Sequence, residues 1–511
     1  MKVRSIFSAS IIAVVSMILL SPPLIAGEGG LTPDNIEKIR NAYEMDRYGR
    51  AMYNAVTNNS IDKIALNRDI LRGHNEIFSH EIKTKGVTNQ KSSGRCWLFA
   101  SLNRFRPLVI EKYDLKKFEF SQNYLAFWDK MEKANTFLEF VIEMRDRDPL
   151  DRELAEFLRH PIGDGGYWLY TVDLIQKYGA VPKEIMPETN SSGSTWQMNK
   201  VLKRKLRSAA ANLRAMHNDG KSVKQLRAEK ETVMADIYKI LVMNLGEPPT
   251  QFEWRVEIGD TTNADDDDGD GDDADKNDAD DANEIDADDD DNGDKNDKTD
   301  KKDKLIMVGT YTPQSFFEEV VGVDLDQYVN IFNNPTQEYD NHFLAVNTRN
   351  MYDRDDLEYV SVEMDRLREI AMKSVLNDDP VVFSCDVGKD QYEGGGIMAM
   401  DVFDFESVFD TDLSMSKADM CTYFESSSNH MMLIIGVDVR DDKPVKWRVE
   451  NSWGTKRGSD GYWTMYDDWF GMYAHSIIVK KEYVPQEILD LYDKEPIILP
   501  VWDPNTSMMR R

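Results

Sequence analysis

Gln90-Lys91-Ser92-Ser93-Gly94-Arg95-Cys96-Trp97-Leu98-Phe99-Ala100 is the stretch on which the reading of this chain turns. A glutamine stands six residues before a cysteine. Ser92, Ser93 and Gly94 suit a turn and cap ahead of a helix. From Cys96 onward the run to Leu102 reads as a buried helix, continued by Asn103-Arg104-Phe105-Arg106. Cys96 then falls in the first helical turn, where the partial positive charge of the helix end favours an anion. That placement matters because the thiolate is the reactive form of cysteine, and an ordinary thiol is mostly protonated at neutral pH. Gln90, in the preceding loop, is placed to donate its amide N–H, with the backbone N–H of Cys96, to a developing oxyanion. One such donor is typically worth about 10²–10³ in rate.

Two distant segments complete the set. Asn429-His430-Met431-Met432-Leu433-Ile434-Ile435-Gly436 reads as a buried strand that opens on a histidine, a rigid seat for a base. Glu450-Asn451-Ser452-Trp453-Gly454 supplies an asparagine to accept from the other ring N–H and fix the tautomer, with Trp453 to shield that hydrogen bond from water. An amide suffices as orienter if thiolate and imidazolium are paired before substrate arrives. Alone, each part has an ordinary reading as a core thiol, a satisfied core histidine or a turn. The order Gln, Cys-Trp, His, Asn-Ser-Trp-Gly instead points to acyl transfer through a thiol.

These segments resemble the bleomycin hydrolase and aminopeptidase C branch of the papain-like cysteine peptidases. The likeness extends from Val87-Thr88-Asn89 through the cysteine, and includes Phe118-Glu119-Phe120-Ser121-Gln122-Asn123-Tyr124-Leu125 and Lys177-Tyr178-Gly179-Ala180-Val181-Pro182-Lys183. Cys385-Asp386-Val387-Gly388-Lys389, Lys446-Trp447-Arg448-Val449 ahead of Glu450, and Leu499-Pro500-Val501-Trp502-Asp503-Pro504 carry it further. It covers the chain from about residue 35 onward, apart from one insert. Ser93 stands where the secreted papain branch carries a second cysteine, and the Cys-to-His distance far exceeds that branch's roughly 130–150 residues; both features favour the branch named.

The resemblance implies an α+β, papain-like two-lobed fold: a helical lobe holding Cys96, a β-barrel-like lobe holding His430 and Asn451, and helical insertions between. Asp164-Gly165-Gly166 resembles the glycine pair that lines the cleft, where Gly165 and Gly166 let a substrate backbone approach; a plain glycine turn is the alternative. The resemblance further implies a homohexamer, peptide substrates and no cofactor or metal. It also implies a C-terminal arm whose carboxylate meets the substrate's free α-amine. Here the chain ends Asn505-Thr506-Ser507-Met508-Met509-Arg510-Arg511, a longer and cationic tail, so trimming is expected before the aminopeptidase register is reached.

Residues 1–26 read as a signal peptide. Lys2 and Arg4 precede an apolar run from Ile6 to Leu20, with a small residue, Ala26, at the expected cut. The run is too short for a stable membrane span. Residues 27–511 then form one peptidase unit, exported if the segment is a signal peptide and otherwise cytoplasmic as in the resembled branch, with an uncleaved signal anchor as the further alternative. Its thiols are Cys96, Cys385 and Cys421; Cys385 reads as a free core thiol, and in an oxidising compartment Cys96 would need a reductant.

Residues 260–304 form an Asp-rich insert supplying more than half of the net charge of −30. Such a segment cannot bury enough apolar surface to fold. It lies between two strand-like runs, Phe252-Glu253-Trp254-Arg255-Val256 and Leu305-Ile306-Met307-Val308-Gly309, so it is expected to replace a hairpin turn whose ends lie close together. Loop closure makes such insertions tolerable. Two places begin with calcium-loop spacing, but Asn277 and Thr299 stand where the twelfth-position glutamate belongs. The acidic balance argues against nucleic acid as a partner, because phosphates would be repelled. Residues 200–239 read as charged amphipathic helices, a solvated pair or a subunit contact. The rival functions are a cysteine endopeptidase or dipeptidyl peptidase and, in a different class, a secreted acidic cation-binding protein on an inactive scaffold.

Overall fold

The computed structural model describes residues 29–258 and 305–504. The proposed signal peptide, the whole acidic insert and the C-terminal tail from Asn505 lie outside the described residues. The chain forms two compact units. The smaller comprises the described residues up to Leu66 together with Asp404–Asp412. Its helices Pro33–Ala42 and Arg47–Asn58 start where Thr32 and Asp46 cap them, accepting from the N–H of Asn35 and Gly49 respectively. Ala65 O, at the end of helix Ile61–Ala65, accepts from the N–H of Asp404, which caps Phe405–Phe409.

The larger unit holds all four residues expected to be catalytic: Gln90, Cys96, His430 and Asn451. Its helical part is built on Cys96–Tyr113 and Gln122–Glu143, both buried along most of their length, and on Trp168–Tyr178. The long pair Trp196–Asn218 and Val223–Leu245 packs on them through a single apolar stripe. Met198, Leu202, Leu206, Ala209 and Leu213 line it on the first, and Leu226, Val233, Ile237, Leu241 and Leu245 on the second. Spacings of three and four residues put these side chains on one face, and Ser222 with Gln225 forms a capping box at the turn between the helices. The charged faces lie on the exposed side of the chain, as amphipathic periodicity requires.

Strands Phe252–Ile258 and Leu305–Tyr311 pair antiparallel in unbroken register, ending with Ile258 opposite Leu305. The two ends of the acidic insert are therefore brought together as a hairpin turn would bring them.

Among the described residues, the β part is one mixed sheet of twelve strands. At its middle runs His430–Arg440, antiparallel to Val381–Cys385 on one side and Lys443–Glu450 on the other. Met431, Leu433 and Ile435 join the core shared with the helices, whereas Met432, Ile434 and Val437 join a second core under the sheet. A strand buried on both faces must read as an uninterrupted apolar run, and the residues from Met431 to Ile435 form such a run. Each such side chain contributes about 1.5–3 kcal/mol of burial, so the register of this strand, and with it the place of His430, is strongly held.

Candidate active site

The helix that starts at Cys96 has an unusual entry. Arg95 is its cap residue, with φ −93° and ψ 16°, and no side chain caps the first turn. Ser92, Ser93 and Gly94 thus form the turn but not the cap. Ser93 Oγ is occupied elsewhere, donating to Gln90 O (2.7 Å) and accepting from Arg95 Nε (3.0 Å). With the cap omitted, backbone N–H groups of Cys96 and Trp97 are left to hydrogen-bond to the Cys96 sulfur. A third donor comes from across the cleft: the N–H of Met431, the residue after the candidate base. Cys96 and the start of the His430 strand are in this way brought together.

His430 donates from Nε2 to Asn451 Oδ1 at 2.8 Å, leaving Nδ1 as the ring nitrogen for the thiol. The backbone N–H of Ser452 donates to the same Oδ1 at 2.7 Å, which fixes the amide's orientation. Trp453 lies over the imidazole with ring centroids 5.0 Å apart, and is itself covered by Arg457. Burial pushes the Cys96 thiol up to about 11 and the His430 imidazole down to about 4. Burial thus disfavours charge on either partner. What opposes it is specific: three N–H donors on the sulfur, and Asn451 on the imidazole.

Gln90 sits on the same side. Its backbone N–H donates to Ser452 O (2.8 Å), and its side-chain Oε1 accepts from Ser452 Oγ (2.6 Å). Nε2 donates one hydrogen to Ser93 O (2.6 Å), and the second remains for an oxyanion. Ser452 therefore orients the Gln90 amide through its hydroxyl and the Asn451 amide through its N–H, a double contact that reading the sequence missed. Its position between Asn451 and Trp453 was the available signal.

The Asp164-Gly165-Gly166 turn lies against the nucleophile. A side chain at Gly166 would stand 2.6 Å from the Trp97 ring, so packing alone requires glycine there. The Gly165 carbonyl accepts from Lys133 Nζ at 2.6 Å and borders a cavity of about 60 Å³ walled by Lys133, Phe137, Phe157, Ile162 and Asn350. In the sequence Asp164 is only the first letter of this turn, yet its carboxylate is a hub. It accepts from Lys130 Nζ (2.6 Å), Thr195 Oγ1 (2.5 Å), Asn199 Nδ2 (2.8 Å) and the Gly94 N–H (3.2 Å), and its carbonyl accepts from Trp97 Nε1 (2.8 Å). Burial works to raise its pKa, but Lys130 and these donors hold it well below the usual carboxylate range. Cys385 and Cys421 are buried free thiols.

Known proteins resemble this chain along most of its length. A family model described as the Peptidase C1-like family matches residues 30–267 and 295–506, leaving out between them only the middle of the acidic insert. The chain is 35% identical to aminopeptidase C of Lactobacillus delbrueckii subsp. lactis, covering 92% of this chain and 97% of that one. It is 32% identical to bleomycin hydrolase of Rattus norvegicus, covering 93% and 98%. The crystal structure of PepW from Lactobacillus rhamnosis HN001 superposes with a TM-score of 0.82 at 34% identity, covering 93% of this chain and 98% of that one. The chain belongs to the Peptidase C1-like family and has the papain-like fold of cysteine peptidases.

Proposed function

We propose that the chain is a cysteine aminopeptidase, releasing residues from the N-terminus of peptides by acyl transfer through Cys96. His430 Nδ1 takes the thiol proton as the sulfur attacks the scissile carbonyl. Gln90 Nε2 and the Cys96 N–H bind the oxyanion. His430 then gives the proton to the leaving amine, the C–N bond breaks, and a thioester remains. Water, deprotonated by the same nitrogen, hydrolyses the thioester and restores the thiol. Asn451 holds the tautomer throughout, and Gly165 and Gly166 line the substrate's path. The observation that carries this reading is the convergence on one sulfur of the helix-start N–H groups and the Met431 N–H, with His430, the residue before Met431, held by Asn451. Turnover of a free aminoacyl fluorogenic substrate beside its N-acetylated form tests it. Cleavage of the free form alone, abolished in Cys96→Ala, is expected; equal cleavage of both would make the enzyme an endopeptidase.

Two finer readings accompany this one. Assembly as a homohexamer is drawn from the family likeness and is tested by sedimentation. Export is drawn from residues 1–26 and is tested by N-terminal sequencing of the mature protein; a chain beginning at Met1 or Lys2 would end it.

A further inference from the structure

A buried charged cluster joins the helix of Cys96 to the segments of Gln90 and Asn451, and the acyl-transfer steps do not use it. Arg106 and Asn103 lie on the helix that Cys96 begins, and both are almost wholly buried. Arg106 reaches three destinations. Its Nε donates to Thr84 O (2.9 Å), and its Nη2 donates to Gly86 O (2.5 Å) and to both oxygens of Glu450 (2.9 and 3.0 Å). Asn103 Nδ2 donates to Thr88 Oγ1 (2.8 Å) and to Glu450 Oε1 (3.0 Å). Thr84, Gly86 and Thr88 belong to the loop that carries Gln90, and Glu450 immediately precedes Asn451.

We infer that Arg106, Asn103 and Glu450 are positioning residues for catalysis: a single buried ion pair sets the nucleophile's helix, the oxyanion loop and the orienter's strand in mutual register. The strand before Asn451 is distant in sequence, Glu450 standing 344 residues beyond Arg106, and Arg106 ties its own helix both to that strand and to the loop just ahead of Cys96. A guanidinium suits the task because its donors have fixed directions. Buried ion pairs are weak devices for stability, since well-packed apolar residues often do as well, and their best-attested use is to specify one arrangement. Burial acts to raise the Glu450 pKa, and Arg106 is the main group opposing it, so the carboxylate's charge and the pairing depend on each other. The inference rests on the assignment of Cys96, Gln90 and Asn451 as the catalytic groups.

The same helix offers a control. Arg104 Nη2 donates to Asp379 at 2.6 Å, nearly as buried, but that pair ends at the loop before strand Val381–Cys385 and touches neither Gln90's loop nor the strand before Asn451. The experiment compares full-length Glu450→Gln, the double variant Arg106→Met/Glu450→Gln and Asp379→Asn. It reads melting temperature, kcat and KM on a free aminoacyl substrate, and the pH profile of Cys96 alkylation by iodoacetamide. Both hub variants are expected to lose about 10- to 100-fold in kcat, the cost of displacing reacting groups by a fraction of an ångström to one ångström, with KM little changed and the alkylation profile shifted. Asp379→Asn is expected to melt earlier but to keep kcat and profile. Where Glu450→Gln does not fold, the double variant, which leaves no buried charge unpaired, and Asn103→Ala decide. Hub variants that fold and keep the parent kcat and alkylation profile overturn the inference. Activity surviving in Cys96→Ala would instead overturn the site assignment, so the two failures are distinguishable.

Discussion

The two sides of this active site are held by different physics. The base side is held by packing: His430 opens a strand buried on both faces, is hydrogen-bonded to Asn451 and lies under Trp453. The nucleophile side is held by polar contacts. Gln90, Ser93, Arg95 and Asp164 tie the turn before Cys96 to Ser452, Glu188, Lys130, Thr195 and Asn199. An imidazole needs one orientation and little charge at rest, and a dry pocket provides that. A loop that must aim donors at a transient anion has no apolar face to bury, so hydrogen bonds must fix it.

The contrast can be broken at several points. His430→Ala removes the proton carrier and should cost up to about 10⁴-fold in kcat/KM, measured by steady-state kinetics; the fold should survive, because the strand's register rests on its other residues. Gln90→Ala should cost about 10²–10³-fold in kcat, and Ser452→Ala, which only frees the Gln90 amide to turn, should cost less than Gln90→Ala in the same assay. Gly166→Ala should act on stability rather than chemistry: overpacking against Trp97 costs about 1–3 kcal/mol, read as a lowered denaturation midpoint.

The dry pocket also predicts a pH dependence. Because burial lowers His430 to about 4, its neutral form persists well below the ordinary 6.5. The free enzyme's kcat/KM should therefore fall as pH drops through about 4, whereas an acid limb near 6.5 would mean a solvated imidazole. Stability has the same sign. His475, buried and lowered to about 3, and His430 both stay neutral when folded, while unfolded imidazoles take up protons below about 6.5. The unfolded state is thus increasingly favoured as pH falls through that window, which an acid titration of the melting temperature measures.

Much of this was legible in the sequence, and the legible parts share a cause. The His430 strand announced itself because burial on both faces forces an apolar run. The hairpin that brackets the acidic insert was readable from two strand-like segments, and the Cys96 helix from its continuous burial. The polar lattice was not legible. Asp164, Ser452, Arg106 and Glu450 are ordinary polar letters in a sequence, and only the fold shows that each is held against partners tens to hundreds of residues away. The cap at Arg95 illustrates the same limit: Ser92 and Ser93 look like caps, but Ser93's hydroxyl is committed to Gln90 and Arg95. Local propensity yields when tertiary contacts are worth more.

The central claim is that the sulfur of Cys96 is the nucleophile and His430 the base that activates it. Mass spectrometry of the intact protein after brief treatment with iodoacetamide at neutral pH, wild type beside His430→Ala, tests it most directly. The account predicts one adduct, on Cys96, formed much more slowly in the variant, with buried Cys385 and Cys421 unmodified in both. Equal rates in the two proteins, or an adduct on another cysteine with loss of activity, would contradict it.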